Sequence, residues 1–266
     1  MKILVIGGGN MGLTYAQSFL RAHVAQASDM MILEKSPEKA AELALRQVGR
    51  IYGEPGECLQ QADLIVLAVK PQDTSALFES LRPLADPQQV YLSIMAGIRM
   101  ETIQQALGVT KVIRAMPNLP AQTGMGMTAF TSTEEVTRIE LVTVQNLLNT
   151  TGKAIYVEDE QFIDAATAIS GSGPAYVFYF MNAMIKAAKS MGFSESEAEL
   201  LVGQTFRGAV DLYSKNAASC EEWINRVSSK GGTTEAAMRL FGAQEVENHI
   251  IEGVLAARQR AEELGR

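Results

Sequence analysis

The sequence predicts an α/β protein in which a doubly wound parallel sheet is followed by an all-helical domain. Short β-branched runs alternate with longer amphipathic segments as far as Val157, the pattern of strands returned to one another by crossover helices. The run Asp63 to Val69 is almost wholly apolar, as a strand covered on both faces has to be. Beyond Val157 the β-branched runs stop, and helix-like segments follow one another with Gly and Ser between them. The acidic Glu158-Asp159-Glu160 marks the junction, so residues 1–157 and 158–266 form the two expected domains.

In chain order, the strands expected are Lys2 to Ile6, Met30 to Leu33, Leu64 to Val69, Gln89 to Ile94, Val112 to Ala115 and Ala154 to Val157. Between them lie the expected helices Met11 to Ala22, Pro37 to Val48, Thr74 to Leu81, Met100 to Leu107 and Glu134 to Asn149. In the second domain, Ser194 and Ser219 each precede a Glu by three residues, so hydroxyl and carboxylate can satisfy orphan amides where two helices begin. Ser170 to Pro174 reads as a break between two helices. The segment Pro174 to Met191 is apolar or small around most of its circumference, more than one small domain can cover, and it is expected to meet a partner subunit.

The chain has 266 residues, 23 Lys and Arg against 30 Asp and Glu, and a formal charge of −7. With a pI near 5.1 it carries no electrostatic footprint for nucleic acid or an anionic membrane. Its longest late apolar stretch, Ala175 to Met181, falls far short of the ~20 residues a membrane helix needs, and the opening run ends at glycines with no cleavage site after it. The two cysteines, Cys58 and Cys220, lie far apart with no metal-ligand spacing, which fits a reducing, cytoplasmic setting and no metal.

Gly7-Gly8-Gly9-Asn10-Met11-Gly12 matches G-x-G-x-x-G directly after the first strand. Gly7 permits a tight turn, Gly9 lets backbone approach a pyrophosphate, Gly12 allows close helix packing, and the helix that starts near Met11, just after Asn10, presents its positive end to phosphates. A Rossmann-type dinucleotide site is therefore expected. Glu34 closes the second strand, where an acidic side chain binds the ribose 2′-hydroxyl of NADH, while Lys35 and Ser36 beside it offer a cation and a hydroxyl to the 2′-phosphate of NADPH. A solvated Glu-Lys pair is the plain alternative, and the preference between cofactors stays open. Ala68-Val69-Lys70-Pro71 and Ser93 to Gly97, including Ala96, fall at carboxyl ends of strands, the edge on which open α/β sheets bind ligands. Arg114 to Asn118 is expected to follow a further strand as turn-forming residues. Ser228 to Thr234 ends in a glycine pair and two threonines opening a helix, exposing amides and hydroxyls that could grip a carboxylate; a simple helix cap needs only one threonine.

Taken in order, these strings resemble the pyrroline-5-carboxylate reductase family over essentially the whole chain. The resemblance rests on the glycine motif, Ala68-Val69-Lys70-Pro71, Met116-Pro117-Asn118, Ser170 to Tyr176 and above all Ser228 to Thr234. It implies a nucleotide-binding domain joined to a helical dimerisation domain, a homodimer or larger homo-oligomer, and reduction of a cyclic imine to L-proline, the last step of proline biosynthesis. NADPH is the implied cofactor, with NADH as the alternative, and Asn118 joins the nucleotide-contacting set. Gly231, Gly232 and Thr233 are implied to bind the substrate carboxylate, Thr234 to face the ring nitrogen as the catalytic hydroxyl, and Glu160 to lie near the substrate. Three positions depart from common versions of the family: Leu119 stands where threonine is usual, Arg226 where asparagine is often found, and Pro55 where an adenosine-contacting asparagine often lies. Those departures leave room for a non-catalytic relative or a reductase of another small imine.

Imine reduction asks little of the protein, because a protonated imine accepts hydride readily once the reacting carbons are held ~3–3.5 Å apart. Neither His23 nor His249 lies in a motif, which argues against a Ser-His-Asp hydrolase or metal hydrolase.

Overall fold

The computed structural model describes residues 1–265. Among the described residues the chain divides into two compact units: residues 1–172 with residues 257–265 form one, and residues 173–256 form the other. The change of composition at Val157 and the boundary of packing after Ser172 do not coincide. The helix that follows residue 157 is anchored by its acidic side chains to the sheet.

The first unit is built on an eight-stranded sheet in the order β3-β2-β1-β4-β5-β6-β7-β8. Its strands are β1 (Ile3–Ile6), β2 (Met30–Leu33), β3 (Arg50–Tyr52), β4 (Leu64–Leu67), β5 (Val90–Ser93), β6 (Val112–Met116), β7 (Gly126–Ser132) and β8 (Gly152–Tyr156). All pairings from β3 to β6 are parallel. The sheet is not wholly parallel, however: β7 runs antiparallel to β6 and parallel to β8.

Sequence alternation divides the core. Ile3, Val5, Met30, Ile32, Val66 and Leu92 face one side, with Tyr15 and Phe19 of α1 (Asn10–Arg21), Leu43 of α2 (Pro37–Leu45) and Leu147 of α6 (Arg138–Asn149). Leu4, Ile6, Met31, Leu33, Ile65 and Leu67 face the other, with Leu59 of α3 (Glu57–Gln61), Phe78 of α4 (Thr74–Leu81) and Ile103 of α5 (Met100–Leu107). Every residue of β1, β2, β4 and β5 is buried, which is why these strands read as continuous apolar runs rather than alternating ones.

Two strands escaped the sequence reading. β3 is only three residues long and partly exposed, too short for an apolar run to announce it. β7 is Gly-Met-Thr-Ala-Phe-Thr-Ser, and its polar Thr128 and Thr131 are fully buried between its neighbours. Tertiary pairing, not local hydrophobicity, makes this segment a strand. The expected strand Val112 to Ala115 runs one residue further, so Met116, quoted with the turn-forming residues, lies within it. Of the expected break Ser170 to Pro174 only Ser172 lies outside a helix: Thr167–Gly171 form a π-helical turn after α7 (Gln161–Ala166), and α8 (Gly173–Ser190) starts at Gly173.

Arg114 is 1% exposed at the heart of β6. Its Nη1 donates to Glu160 Oε1 at 3.1 Å and its Nη2 to Asp164 Oδ1 at 2.7 Å, so two carboxylates from the start of α7 close over one guanidinium. Glu160 Oε1 also accepts the backbone N–H of Met100 at 2.9 Å, one of the orphan amides at the start of α5. A single cation thus ties a central strand to two helices.

The second unit contains α8, α9 (Glu195–Ser214), α10 (Cys220–Val227), α11 (Thr233–Ala243) and the greater part of α12 (Val246–Leu264). Ser194 and Ser219 form capping boxes with Glu197 and Glu222 as the spacing predicts. Hydrogen bonds from the two serines hold both carboxyls below the usual glutamate range. No residue of α8, α10 or α11 is buried, and Phe178, Tyr179, Met191, Leu200 and Val227 are all exposed in the single chain.

Replacing Arg114 by Met leaves Asp164 as an uncompensated carboxylate in the interior, with Glu160 half-buried beside it, and the loss should be about 3–5 kcal/mol. A shift of the urea midpoint of that size checks it, whereas a change below ~1 kcal/mol would show that the cluster relaxes into solvent.

Candidate functional site

Parallel pairing brings the loops after β1, β2, β4, β5 and β6 to one edge of the sheet. A cavity of about 450 Å³ opens there, lined among others by Gly7, Gly9, Glu34, Lys35, Val69 and Lys70. Ala68 and Pro55 also lie in its wall. A second cavity, of about 400 Å³, lies at the opposite edge beside Asp63, Asp86 and Glu140, and touches none of the motifs. The amino-terminal edge of a parallel sheet is not where such folds bind ligands.

The three glycines of the motif do different work. Gly7 has φ +103°, and a Cβ there would meet the carbonyl oxygen of Ala68 at 2.8 Å, so the turn crosses hard against the end of β4. A Cβ on Gly12 would sit 2.1 Å from the Gly7 carbonyl oxygen, which fixes how closely α1 packs on β1. Gly9 is the opposite case: nothing lies within 4 Å of its Cβ position, and it lines the cavity. It is also the N-cap of α1, with no side-chain cap and no acidic residue in the first turn. The first-turn amides of Asn10, Met11 and Gly12 are therefore left for an outside anion, so the residues present fit a dinucleotide pyrophosphate.

Glu34 is nearly buried and turns inward. Its Oε2 accepts Gly8 N–H at 3.0 Å and its Oε1 accepts Ser36 N–H at 2.9 Å, so the carboxylate braces the glycine loop. The Ser36 hydroxyl caps α2 through Lys39 N–H and donates to Glu38. Lys35 extends over the cavity rim to Asp73 in the turn Pro71–Asp73, with Nζ 2.9 Å from Oδ1. Ala96 lies in the loop after β5, outside the cavity lining. Asn118 spends its amide on the scaffold: Oδ1 accepts Met127 N–H at 2.9 Å and Nδ2 donates to Ser170 O at 3.0 Å. The side chain joins the end of β6 to β7 and to the π-helical turn.

Glu160 belongs to the first unit, and its Oε1 is bonded to Arg114 and Met100. Gly231, Gly232, Thr233 and Thr234 lie in the second unit, where α10 gives way to α11. Gly231 has φ +72°, and its N–H donates to the Glu235 carboxylate at 2.6 Å. Gly232, in extended backbone, is the N-cap of α11, so neither threonine caps the helix. Among the described residues neither threonine hydroxyl has a hydrogen-bond partner, and Thr234 is half-buried where Thr233 is exposed. Arg226 is held over the Trp223 ring, 4.6 Å from its centroid.

Sequence reasoning missed Arg114, Asp73 and Glu235. Glu235 had a local signal, an acid in the first turn of a helix. Arg114 and Asp73 had none, because their partners are brought to them only by the sheet.

This is the site of a dinucleotide-dependent oxidoreductase fold with an appended helical unit, and comparison with known proteins agrees. Residues 160–264 match the family model for pyrroline-5-carboxylate reductase dimerisation, and residues 2–97 match that for NADP oxidoreductase, coenzyme F420-dependent. The pyrroline-5-carboxylate reductase of Pseudomonas aeruginosa is 35% identical over 99% of this chain and 96% of its own length. Pyrroline-5-carboxylate reductase 2 of Bacillus subtilis is 34% identical over 99% and 95% respectively. Among solved structures, the Coxiella burnetii pyrroline-5-carboxylate reductase superposes with a TM-score of 0.91 at 30% identity, covering 100% of this chain and 98% of its own. The Plasmodium falciparum pyrroline carboxylate reductase with NADP bound gives 0.90 at 25% identity, with the same coverage. The chain belongs to the pyrroline-5-carboxylate reductase family.

The glycine geometry makes a differential prediction. Gly9→Ala, with open space at its Cβ, should melt within ~2 °C of the parent yet bind NADPH about tenfold more weakly. Gly12→Ala should instead lose about 1–3 kcal/mol of stability through backbone overlap. Melting curves and cofactor titrations on both variants separate the cradle from the packing role.

Proposed function

We propose that this protein reduces 1-pyrroline-5-carboxylate to L-proline with NADPH, NADH serving as the alternative cofactor. The observation that carries the reading is the open cradle at Gly9, in a chain that also carries the Ser228 to Thr234 loop intact. When bound, the nicotinamide supplies the hydride. The groups inferred to hold the cofactor are the amides of Gly9, Asn10, Met11 and Gly12 at the pyrophosphate, with Glu34, Lys35 and Ser36 towards the adenosine ribose. Ala68, Val69, Lys70 and Pro71 form the facing wall, and Ala96 and Asn118 extend the same edge.

On the substrate side, Gly231, Gly232 and Thr233 are assigned to the carboxylate. The Gly231 amide already carries a carboxylate, that of Glu235, so anion recognition lies within the reach of this loop. Thr234 is assigned to the imine nitrogen, because its hydroxyl has no capping duty to perform. An unshifted hydroxyl is a poor acid, so Thr234 orients a ring that is protonated beforehand or by water. Glu160, fixed by Arg114, contributes negative charge near that cationic ring.

The working form is a cytoplasmic homodimer. The exposed apolar side chains of α8 and its neighbours supply the buried area, and the segment that matches the dimerisation model contains them. No helix among the described residues is long and apolar enough to cross a membrane.

Oxidation of NADPH and NADH, followed by absorbance with and without pyrroline-5-carboxylate, tests the activity directly; no substrate-dependent oxidation with either nucleotide would refute it. For Thr234→Ala, an orienting role predicts a kcat lower by roughly three- to tenfold, the worth of one neutral hydrogen bond, with cofactor affinity unchanged. A loss of ~100-fold or more would assign proton donation to the hydroxyl instead, and normal turnover would remove Thr234 from the mechanism. Sedimentation should give a dimer or larger assembly at micromolar concentration, and a fully active monomer would refute the interface.

A further inference from the structure

The carboxyl end of β2 is where a dinucleotide fold reads the adenosine ribose. The acid at that place, Glu34, has both oxygens engaged by backbone amides and is only 8% exposed. The exposed charges are one residue further on and across the cavity. Lys35 and Asp73 meet there at 2.9 Å, with side chains 80% and 39% exposed. Lys39 and Lys70 line the same cavity. The Asp73 carboxyl is held below the usual range by its hydrogen bond from Lys35, by the charge of Lys35 and by those of Lys70 and Lys39, so it is ionised throughout the neutral range.

Two consequences follow from elementary charge chemistry. A ribose 2′-hydroxyl can donate to a carboxylate, whereas a 2′-phosphate is repelled by it and needs a cation in its place. Lys35, the cation directly after the ribose-reading strand, is already engaged by Asp73. Because an exposed pair of this kind contributes little to folding, it can be exchanged for another partner at small cost.

We propose that Asp73 is the specificity-determining residue of the nucleotide site: it sequesters Lys35 and opposes a 2′-phosphate, so that NADPH is bound more weakly relative to NADH than it would be without this carboxylate. The assignment rests on the reading of this edge as the nucleotide site. Asp73 and Lys35 act in opposite directions on the same group, which makes the assignment testable by sign.

Dissociation constants for NADPH and NADH, from the change in cofactor fluorescence on binding to the protein, should be measured for the parent, Asp73→Asn, Asp73→Glu and Lys35→Met. Asp73→Asn should tighten NADPH relative to NADH by about tenfold, and Asp73→Glu, which keeps the charge, by less than about twofold. Lys35→Met should weaken NADPH by about tenfold with little change for NADH. All these differences should shrink at about 1 M salt, as exposed charges are screened there. A ratio unchanged in Asp73→Asn, or both cofactors tightened equally, overturns the assignment while leaving the nucleotide site standing. Failure of the parent to bind either cofactor overturns the site itself and the assignment with it. Melting temperatures of the four proteins separate loss of fold from loss of affinity, and Lys35→Met gives the opposite sign if Asp73→Asn proves unstable.

Discussion

Parallel pairing of β1 to β6 is the constraint on which the rest of the first unit depends. A parallel strand can be reached only by a crossover, so helices must cover both faces, and β1, β2, β4 and β5 are buried on both. The same requirement sends the carboxyl end of each strand to one edge, where the loops are free of packing duties. The cavity, the glycine turn and the charged rim all stand there because no other edge leaves backbone amides uncommitted. Gly7 and Gly12 serve this arrangement by letting β1, β4 and α1 approach closely, and Gly9 serves the ligand by leaving space.

Charge is used sparingly inside this frame. Arg114 is the one fully buried charged side chain of the central strands, and its fork matches two carboxylates at once, which a lysine ammonium could not do with the same geometry. Such a cluster earns little net stability against a well-packed apolar alternative, since desolvation opposes the Coulomb gain. Its effect is positional: β6, α7 and the first turn of α5 cannot shift independently. Glu160 is thereby held by a strand in the sheet and by the first turn of α5.

The helical unit poses the converse problem. Two of its helices open on serine capping boxes, yet no residue of α8, α10 or α11 is fully buried in the single chain. A domain of this size that leaves Phe178, Tyr179 and Leu200 in water is completed only by burial against another surface. Local helix signals and global stability are thus supplied by different partners, the first by the chain and the second by association.

What the sequence by itself determined is whatever depends on neighbours along the chain. The apolar runs of β1, β2, β4 and β5, the glycine turn with its helix, and the two serine capping boxes are local, and each stands where periodicity and spacing put it. Only the tertiary structure decided the rest, because it required partners far away in sequence. β7 is a strand since β6 and β8 lie on either side of it, not because its threonines announce one. Arg114 became a core residue when α7 delivered two carboxylates to it. Asn118 was committed to Ser170 and Met127, and Glu34 to Gly8, by contacts that no spacing rule encodes. Lys35 found Asp73 because β2 and β4 flank β1 in the sheet, and that order is a property of the fold rather than of either residue's neighbours.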